Sequence, residues 1–247
     1  YYNYFQVICI AMNTGTKTST NQYKNKELIE LWCGKKTPLQ SEIDKIYELM
    51  KDTIEFFEFY NINYHIIAGS ALGQARNGGL IPYDDDVDFG IHKDDYEKVW
   101  KNRDFFIKKN YKIEKSEIGI KLGTGSITQD AILKKDINNT IIGPCKPFTG
   151  INQDIFLFEE DGEIDNMPVM KYCCERARLT WPDEVIPREA WFCPEKGSFG
   201  GLTVNVLPKK YLNWYLEKSY GPFWRTHNGK GDKLENIDCA MHSSMKF

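Results

Sequence analysis

The chain carries no surplus of positive charge. Its 32 Lys and Arg residues stand against 35 Asp and Glu, a formal net charge of -3. A protein that works mainly on nucleic acid needs cations to neutralise phosphates, so that class of function is disfavoured. Long apolar runs are missing too. Val7 to Met12 is too short to span a bilayer and has no basic residue before it, so neither a transmembrane segment nor a secretory signal is recognised. The expected location is therefore cytoplasmic or peripheral to a membrane. No CxxC pair occurs among Cys9, Cys33, Cys145, Cys173, Cys174, Cys193 and Cys239, and the odd count favours free thiols over a disulfide framework. Cys145, Cys173, Cys174 and Cys193 have the number of thiolates a zinc shell needs, but two of them are adjacent, which is awkward for a tetrahedral site. Histidine is scarce. His92, His227 and His242 lack any metal or triad spacing, and His65 alternates within an apolar stretch as a core or rim residue would. Internal repeats and a convincing domain boundary are also absent.

What is present suits one α/β domain with a substantial core, at 247 residues, 41% apolar and 27% charged. Residues 1–36, rich in Thr, Ser and Asn from Asn13 to Asn21, are expected to form a mobile leader, 37–226 the domain, and 227–247 a loose tail. Thr37-Pro38-Leu39-Gln40 reads as a helix start, with Thr37 as cap and Pro38 at the first position. Leu39, Ile43, Ile46, Met50, Ile54 and Phe57 then mark an amphipathic helix. Tyr64 to Ala68 reads as a buried strand, Ala71 to Arg76 as a short helix, and Asp94 to Lys101 as another. Strands are expected at 111–114, 118–122, 127–133, 151–158 and 202–207. Helices are expected at 168–178 and 208–219, and Glu159 to Gly162 reads as a strand-end turn.

The densest signal is Gly69 to Ile91, where Asp84, Asp85, Asp86 and Asp88 fall within five positions. Two unit charges ~4 Å apart repel by roughly 4 kcal/mol at an effective dielectric of about 20. Such a cluster persists in a fold only where water or a cation offsets the repulsion. Asp86 to Ile91 alternates polar and apolar, which predicts a strand with one wet face carrying Asp86 and Asp88. Oxygen ligands on one face suit a hard divalent cation. An EF-hand does not fit, because Phe89 stands where that loop needs Gly and Asp95 where it needs Glu. Upstream, Gly69-Ser70 follows a strand and opens a helix, a place where backbone N–H groups receive phosphate. Downstream, Asp154 is a lone acid in an apolar strand. A buried unpaired carboxylate is costly, so Asp154 is expected to face the same cation.

This order of Gly-Ser, Asp-x-Asp and a third Asp matches the layout of the nucleotidyltransferase fold, a mixed β-sheet flanked by helices. Leu72-Gly73, Arg76, Gly79, Ile81-Pro82 and Asp84-Asp85-Asp86-Val87-Asp88 resemble the signature of the LicD family, which includes bacterial phosphocholine transferases, fukutin and fukutin-related protein. Gln153-Asp154-Ile155-Phe156 is similar to that family's later DIF element, and Tyr220-Gly221-x-x-Trp224 to its ending. Tyr83 replaces the usual Trp, and Leu157 the usual Pro. The resemblance implies metal-dependent transfer of a phosphorylated alcohol from a CDP-linked donor to a glycan or glycolipid hydroxyl, with release of CMP. It implies Mg²⁺ or Mn²⁺ held by Asp86, Asp88 and Asp154, and diphosphate contacts from Gly69 and Ser70. Arg76 is expected on the donor phosphate or on an aspartate. Asp84 and Asp85 are expected to support the ligands or to take the acceptor proton. Two other readings stay open: a nucleotidyltransferase moving NMP from an NTP, and a non-catalytic nucleotide- or glycan-binding domain.

Overall fold

The computed structural model describes residues 38–82 and 84–225, so the expected leader, the cap Thr37 and the tail lie outside the described residues. Helix α1 (Gln40–Phe59) starts with Leu39 in the cap position, and the Glu42 carboxylate accepts the Leu39 N–H at 2.7 Å. Its apolar stripe buries Ile46, Leu49, Met50, Phe56 and Phe57. Strand β1 (Tyr64–Ile66) leads into helix α2 (Ala68–Asn77), which is longer than expected and takes Gly69 and Ser70 into its first turn. Strand β2 (Asp88–His92), a single 3₁₀ turn and helix α3 (Tyr96–Lys101) follow, then helix α4 (Asp104–Lys108). Strands β3 (Lys112–Ser116) and β4 (Gly119–Gly123) form a hairpin.

Three sequence expectations are corrected in the middle of the chain. Residues 127–133 are not a strand. Thr128 accepts the Ala131 N–H at 3.2 Å and caps a short helix, α5 (Gln129–Leu133). Strand β5 (Asn152–Ile164) runs straight through the expected turn at 159–162. The chain reverses instead at Asp165-Asn166, both at positive φ, the two-residue turn that suits hairpin twist. Salt bridges from Arg178 to Glu159 (2.8 Å) and Asp161 (2.6 Å) occupy the acids that read as turn residues. The expected helix at 168–178 is split into strand β6 (Met167–Tyr172) and helix α6 (Glu175–Thr180). Strand β7 (Ile186–Pro187), helix α7 (Arg188–Phe192), the hairpin β8 (Glu195–Phe199) and β9 (Leu202–Val206), and helix α8 (Lys209–Tyr220) complete the described residues.

The main sheet has the order β1-β2-β5-β4-β3, with β6 on the far half of β5 and β7 on β6. The β2–β5 pair is parallel and its other pairs are antiparallel. The architecture is a mixed α/β domain, a mostly antiparallel sheet flanked by helices. One face of the sheet, with Phe89, Ile91, Ile120, Leu122 and Ile155, packs on α1. The other, with Phe156, Phe158, Met170 and Tyr172, packs on Ile67, Leu72, Trp191 and Tyr215. This explains why β2 lacks the open wet face expected of it: it lies between β1 and β5, Asp88, Phe89, Gly90 and Ile91 are all buried, and of these Asp88 alone borders a cleft. Asp86 precedes the strand instead of belonging to it. Among the described residues, no helix is long and apolar enough to cross a membrane.

Candidate active site

The motif between α2 and β2 is shaped by two close backbone approaches. A Cβ on Gly73 would lie 2.5 Å from the Gly79 carbonyl oxygen, and one on Gly79 would lie 2.6 Å from the Tyr47 hydroxyl. The Tyr47 hydroxyl also accepts the Leu80 N–H at 3.0 Å. These contacts fold the segment back across α2 and deliver the aspartates to the end of β2. Asp84 is buried, with an oxygen 3.1 Å from where a Gly69 Cβ would stand. Ser70 is buried as well, and its hydroxyl oxygen accepts the Asp88 N–H at 2.9 Å. The structure therefore commits Ser70 to holding the start of β2.

Across the sheet, Asp88 is the register partner of Asp154 on β5, and Asp154 that of Lys121 on β4. Register partners point the same way, so an acid, a second acid and a cation stand in one row. The Lys121 ammonium lies 2.6 Å from each Asp154 oxygen and donates to the Cys145 carbonyl at 2.8 Å, with only 4% of the residue exposed. On the opposite face, Gln153 donates to Thr53 of α1 at 2.8 Å, which fixes β5 against the helix.

This row forms part of the wall of a cleft of about 910 Å³. Asp86, Asp88, Asp154, Lys121, Lys146 and Glu184 supply its charged inner surface, and Ile118, Ile142, Phe156 and Trp181 an apolar wall. Lys146 pairs with Asp85. Arg76 sits in the last turn of α2, its Nε donating to Asn77 at 3.3 Å, and is not among the residues lining the cleft.

The electrostatics are those of crowded acids. Burial raises the Asp86 carboxyl to about 6 against the pull of Lys146, with Asp85 and Asp154 adding to the rise. Burial and then the charges of Asp86, Asp154 and Asp84 push Asp88 well above the usual carboxylate range. Oxygens of Asp84, Asp85 and Asp86 lie within 4.8 Å of one another. An all-oxygen donor set crowded in this way fits a hard divalent cation. Cys145, Cys173, Cys174 and Cys193 are free thiols, the first and last exposed.

Lys121, Lys146 and Glu184 have no counterpart in the sequence reading. Lys121 carries the signal that singled out Asp154, a lone charge in an apolar strand. Glu184 carries no local signal. It is buried, accepts the Ala68 N–H at 3.0 Å and the Tyr215 hydroxyl, and burial raises its carboxyl to about 8 against the pull of that N–H. Ala68 is held at φ 49, so the entry into α2 is anchored by a side chain 116 residues away.

A domain family described as LicD/FKTN/FKRP, nucleotidyltransferase domain, matches residues 61–206. The match takes in well over half of the sequence, and the chain belongs to this family. Curated relatives align over shorter stretches. An uncharacterised protein of Rickettsia typhi is 38% identical over 78 residues, 32% of this chain and 25% of that protein. An uncharacterised protein of Rickettsia prowazekii is 50% identical over 50 residues, 20% of this chain and 19% of that one. The lipopolysaccharide cholinephosphotransferase LicD of Haemophilus influenzae is 41% identical over 46 residues, 17% of each chain. The alignments thus span a quarter or less of these relatives. Among solved structures, the antibiotic-resistance factor ANT(2'')-Ia aligns with a TM-score of 0.39 at 14% identity, over 82% of this chain and 85% of that one. The lincosamide antibiotic adenylyltransferase LnuA, with lincomycin bound, aligns with a TM-score of 0.33 at 12% identity, over 70% and 83%. Likenesses at this level carry no functional argument.

Proposed function

We propose that this chain transfers a phosphorylated alcohol, such as phosphocholine or ribitol phosphate, from a CDP-linked donor to a glycan or glycolipid hydroxyl, releasing CMP. The observation that carries the reading is the placing of Asp88 opposite Asp154, with Asp86 beside them, in a cleft that also holds Lys121 and Lys146. Asp86, Asp88 and Asp154 would hold Mg²⁺ or Mn²⁺, with Asp84 and Asp85 alongside. When bound, such an ion supplies charge neutralisation at the transferring phosphoryl group. The protein's own groups do the rest. Lys146, on the cleft wall, would draw the anionic donor in, and the backbone N–H groups of the first turn of α2, at Gly69, would meet its diphosphate. Ser70 keeps Asp88 in place through the strand backbone. Arg76 balances the acids from the far end of α2. The apolar wall of Phe156, Ile118 and Trp181 accommodates the nucleoside and excludes water.

The test is calorimetric titration of CDP-ribitol, CDP-choline, CDP-glycerol, CTP and ATP, each with and without Mn²⁺. Metal-dependent binding of one CDP-alcohol, at least tenfold tighter than CTP, is expected, followed by CMP release once an acceptor is supplied. Preference for a nucleoside triphosphate overturns the reading in favour of nucleotidyl transfer. No metal-dependent nucleotide binding leaves a binding domain.

A further inference from the structure

We propose that Glu184 is the general base of this site, the group that takes the proton of the acceptor hydroxyl as that oxygen attacks phosphorus. The proposal rests on the phosphotransfer reading above and adds to it a residue from outside the aspartate motif.

Three consecutive residues of α2 tie Glu184 to the aspartates. The Ala68 N–H donates to Glu184 Oε1 at 3.0 Å, and a Cβ on Gly69 would stand 3.1 Å from an Asp84 oxygen. The Ser70 hydroxyl oxygen then accepts the Asp88 N–H at 2.9 Å. Consecutive Cα atoms are about 3.8 Å apart, so the first turn of α2 is all that separates the Glu184 carboxyl from the motif. Glu184 also lines the same cleft as Asp86, Asp88 and Asp154. Tyr172 on β6 and Tyr220 on α8 feel both sides of it. Burial, next the charge of Glu184 and then that of Asp88 push both phenols well above their ordinary value.

The carboxyl is held as a base must be. Oε1 accepts from the Ala68 N–H and from the Tyr215 hydroxyl of α8, and that N–H is shared with the Tyr215 oxygen at 2.7 Å. Oε2 has no protein partner among the described residues and is left to the cleft. The other acids of the cleft are committed or exposed. Asp86, Asp88 and Asp154 are the ligands proposed above, and Asp154 is paired with Lys121. Asp130 and Asp183 are exposed, and Asp130 pairs with Lys134 at 3.3 Å. Glu184 is buried and meets no Lys or Arg among the described residues. With its carboxyl raised to about 8 by burial, the ionised form is a stronger base than an ordinary carboxylate. The step balances. The acceptor O–H bond breaks and its proton passes to Oε2, while the oxygen forms the new bond to phosphorus. The bond from that phosphorus to the bridging oxygen breaks, and CMP leaves with the electron pair.

The test follows CMP release by the full chain from CDP-ribitol, CDP-choline and CDP-glycerol with Mg²⁺ across the pH range, with water and methyl galactoside as acceptor hydroxyls. The wild-type kcat is expected to rise with pH along a one-proton limb near 8 and then level off. Glu184→Gln keeps an oxygen for the Ala68 N–H and the Tyr215 hydroxyl but cannot take a proton. Its kcat should fall at least ~10²-fold and the limb should vanish, while donor affinity by calorimetry stays within about threefold. Tyr215→Phe removes a donor to the ionised carboxyl, so its limb should move to higher pH with the plateau kept. Circular dichroism checks that each variant is folded. Should Glu184→Gln not fold, the wild-type limb and its shift in Tyr215→Phe decide the matter. A folded Glu184→Gln that keeps the limb, or that loses donor affinity in step with kcat, overturns the proposal and leaves phosphotransfer standing. A wild type without the limb, or a limb unmoved in Tyr215→Phe, also overturns it. No metal-dependent CMP release by the wild type at any pH overturns the phosphotransfer reading as well.

Discussion

Asp88 on β2 and Asp154 on β5 stand opposite each other in the parallel pair of the sheet, held there by backbone register. Nothing in the loops sets that juxtaposition. The charge of this pair is therefore as rigid as the sheet, and substitutions in it should act on electrostatics before they act on shape.

Removing one acid should relieve repulsion. In metal-free buffer at pH 7.5, Asp88→Asn is expected to raise stability by about 1 kcal/mol, or ~2–4 °C in melting temperature for a chain of this size. The cause is that Asp88 is pushed above its usual range by burial and by three neighbouring carboxylates. Turnover of the CDP-alcohol should fall by at least ~10³-fold, a scale set by loss of one preorganised charge. A variant that retains near-wild-type turnover would exclude Asp88 from the site.

Ser70 acts through the backbone. Ser70→Ala leaves the Asp88 N–H without its acceptor in a buried position. A loss of about 1–3 kcal/mol is expected in urea denaturation, with weakened Mn²⁺ affinity. If stability falls while Mn²⁺ affinity is unchanged, Ser70 braces the fold but does not orient Asp88.

Glu184 gives a pH dependence of definite sign. Its carboxyl titrates near 8 when folded, against an ordinary 4.5. Between those values the folded state keeps a proton that the unfolded chain has lost. Its contribution is therefore complete below pH 4.5 and is lost as pH rises through 8. Melting temperatures of the wild type, relative to Glu184→Gln, should fall steadily from pH 5 to 8 and level off above. Parallel curves for the two proteins would place the Glu184 carboxyl in the ordinary range.

The tight turn between α2 and β2 has little tolerance. Gly79→Ala would set a Cβ 2.6 Å from the Tyr47 hydroxyl and 3.1 Å from the Gly200 nitrogen. Overpacking of this kind costs about 1–3 kcal/mol, and a shifted urea midpoint with an unchanged slope is the expected readout. Adding Tyr47→Phe should recover part of the loss, because it removes the nearer atom.

Much of this was legible in the order of residues, and the reasons differ from element to element. α1 could be read because Ile46, Met50 and Phe57 repeat with the helical period against one core. Asp154 could be read because a lone acid in an apolar strand is conspicuous, and Lys121 would have yielded to the same argument. The helix α5 and the strand β6 could not. The first is set by a single Thr128 cap, and the second by pairing with the outer half of β5. Glu184 was illegible for a stricter reason: its partners Ala68 and Tyr215 lie 116 and 31 residues away, so burial and bonding are decided by tertiary packing alone.

The cleft has two walls of different origin. One is the sheet, where ladder bonds fix Asp88, Asp154 and Lys121. The other comes largely from residues 142–146 and 181–184, which belong to connecting segments. Insertions and exchanges in such segments leave strand register untouched. A lineage could therefore change what the cleft admits by altering these segments, while inheriting the charged row intact.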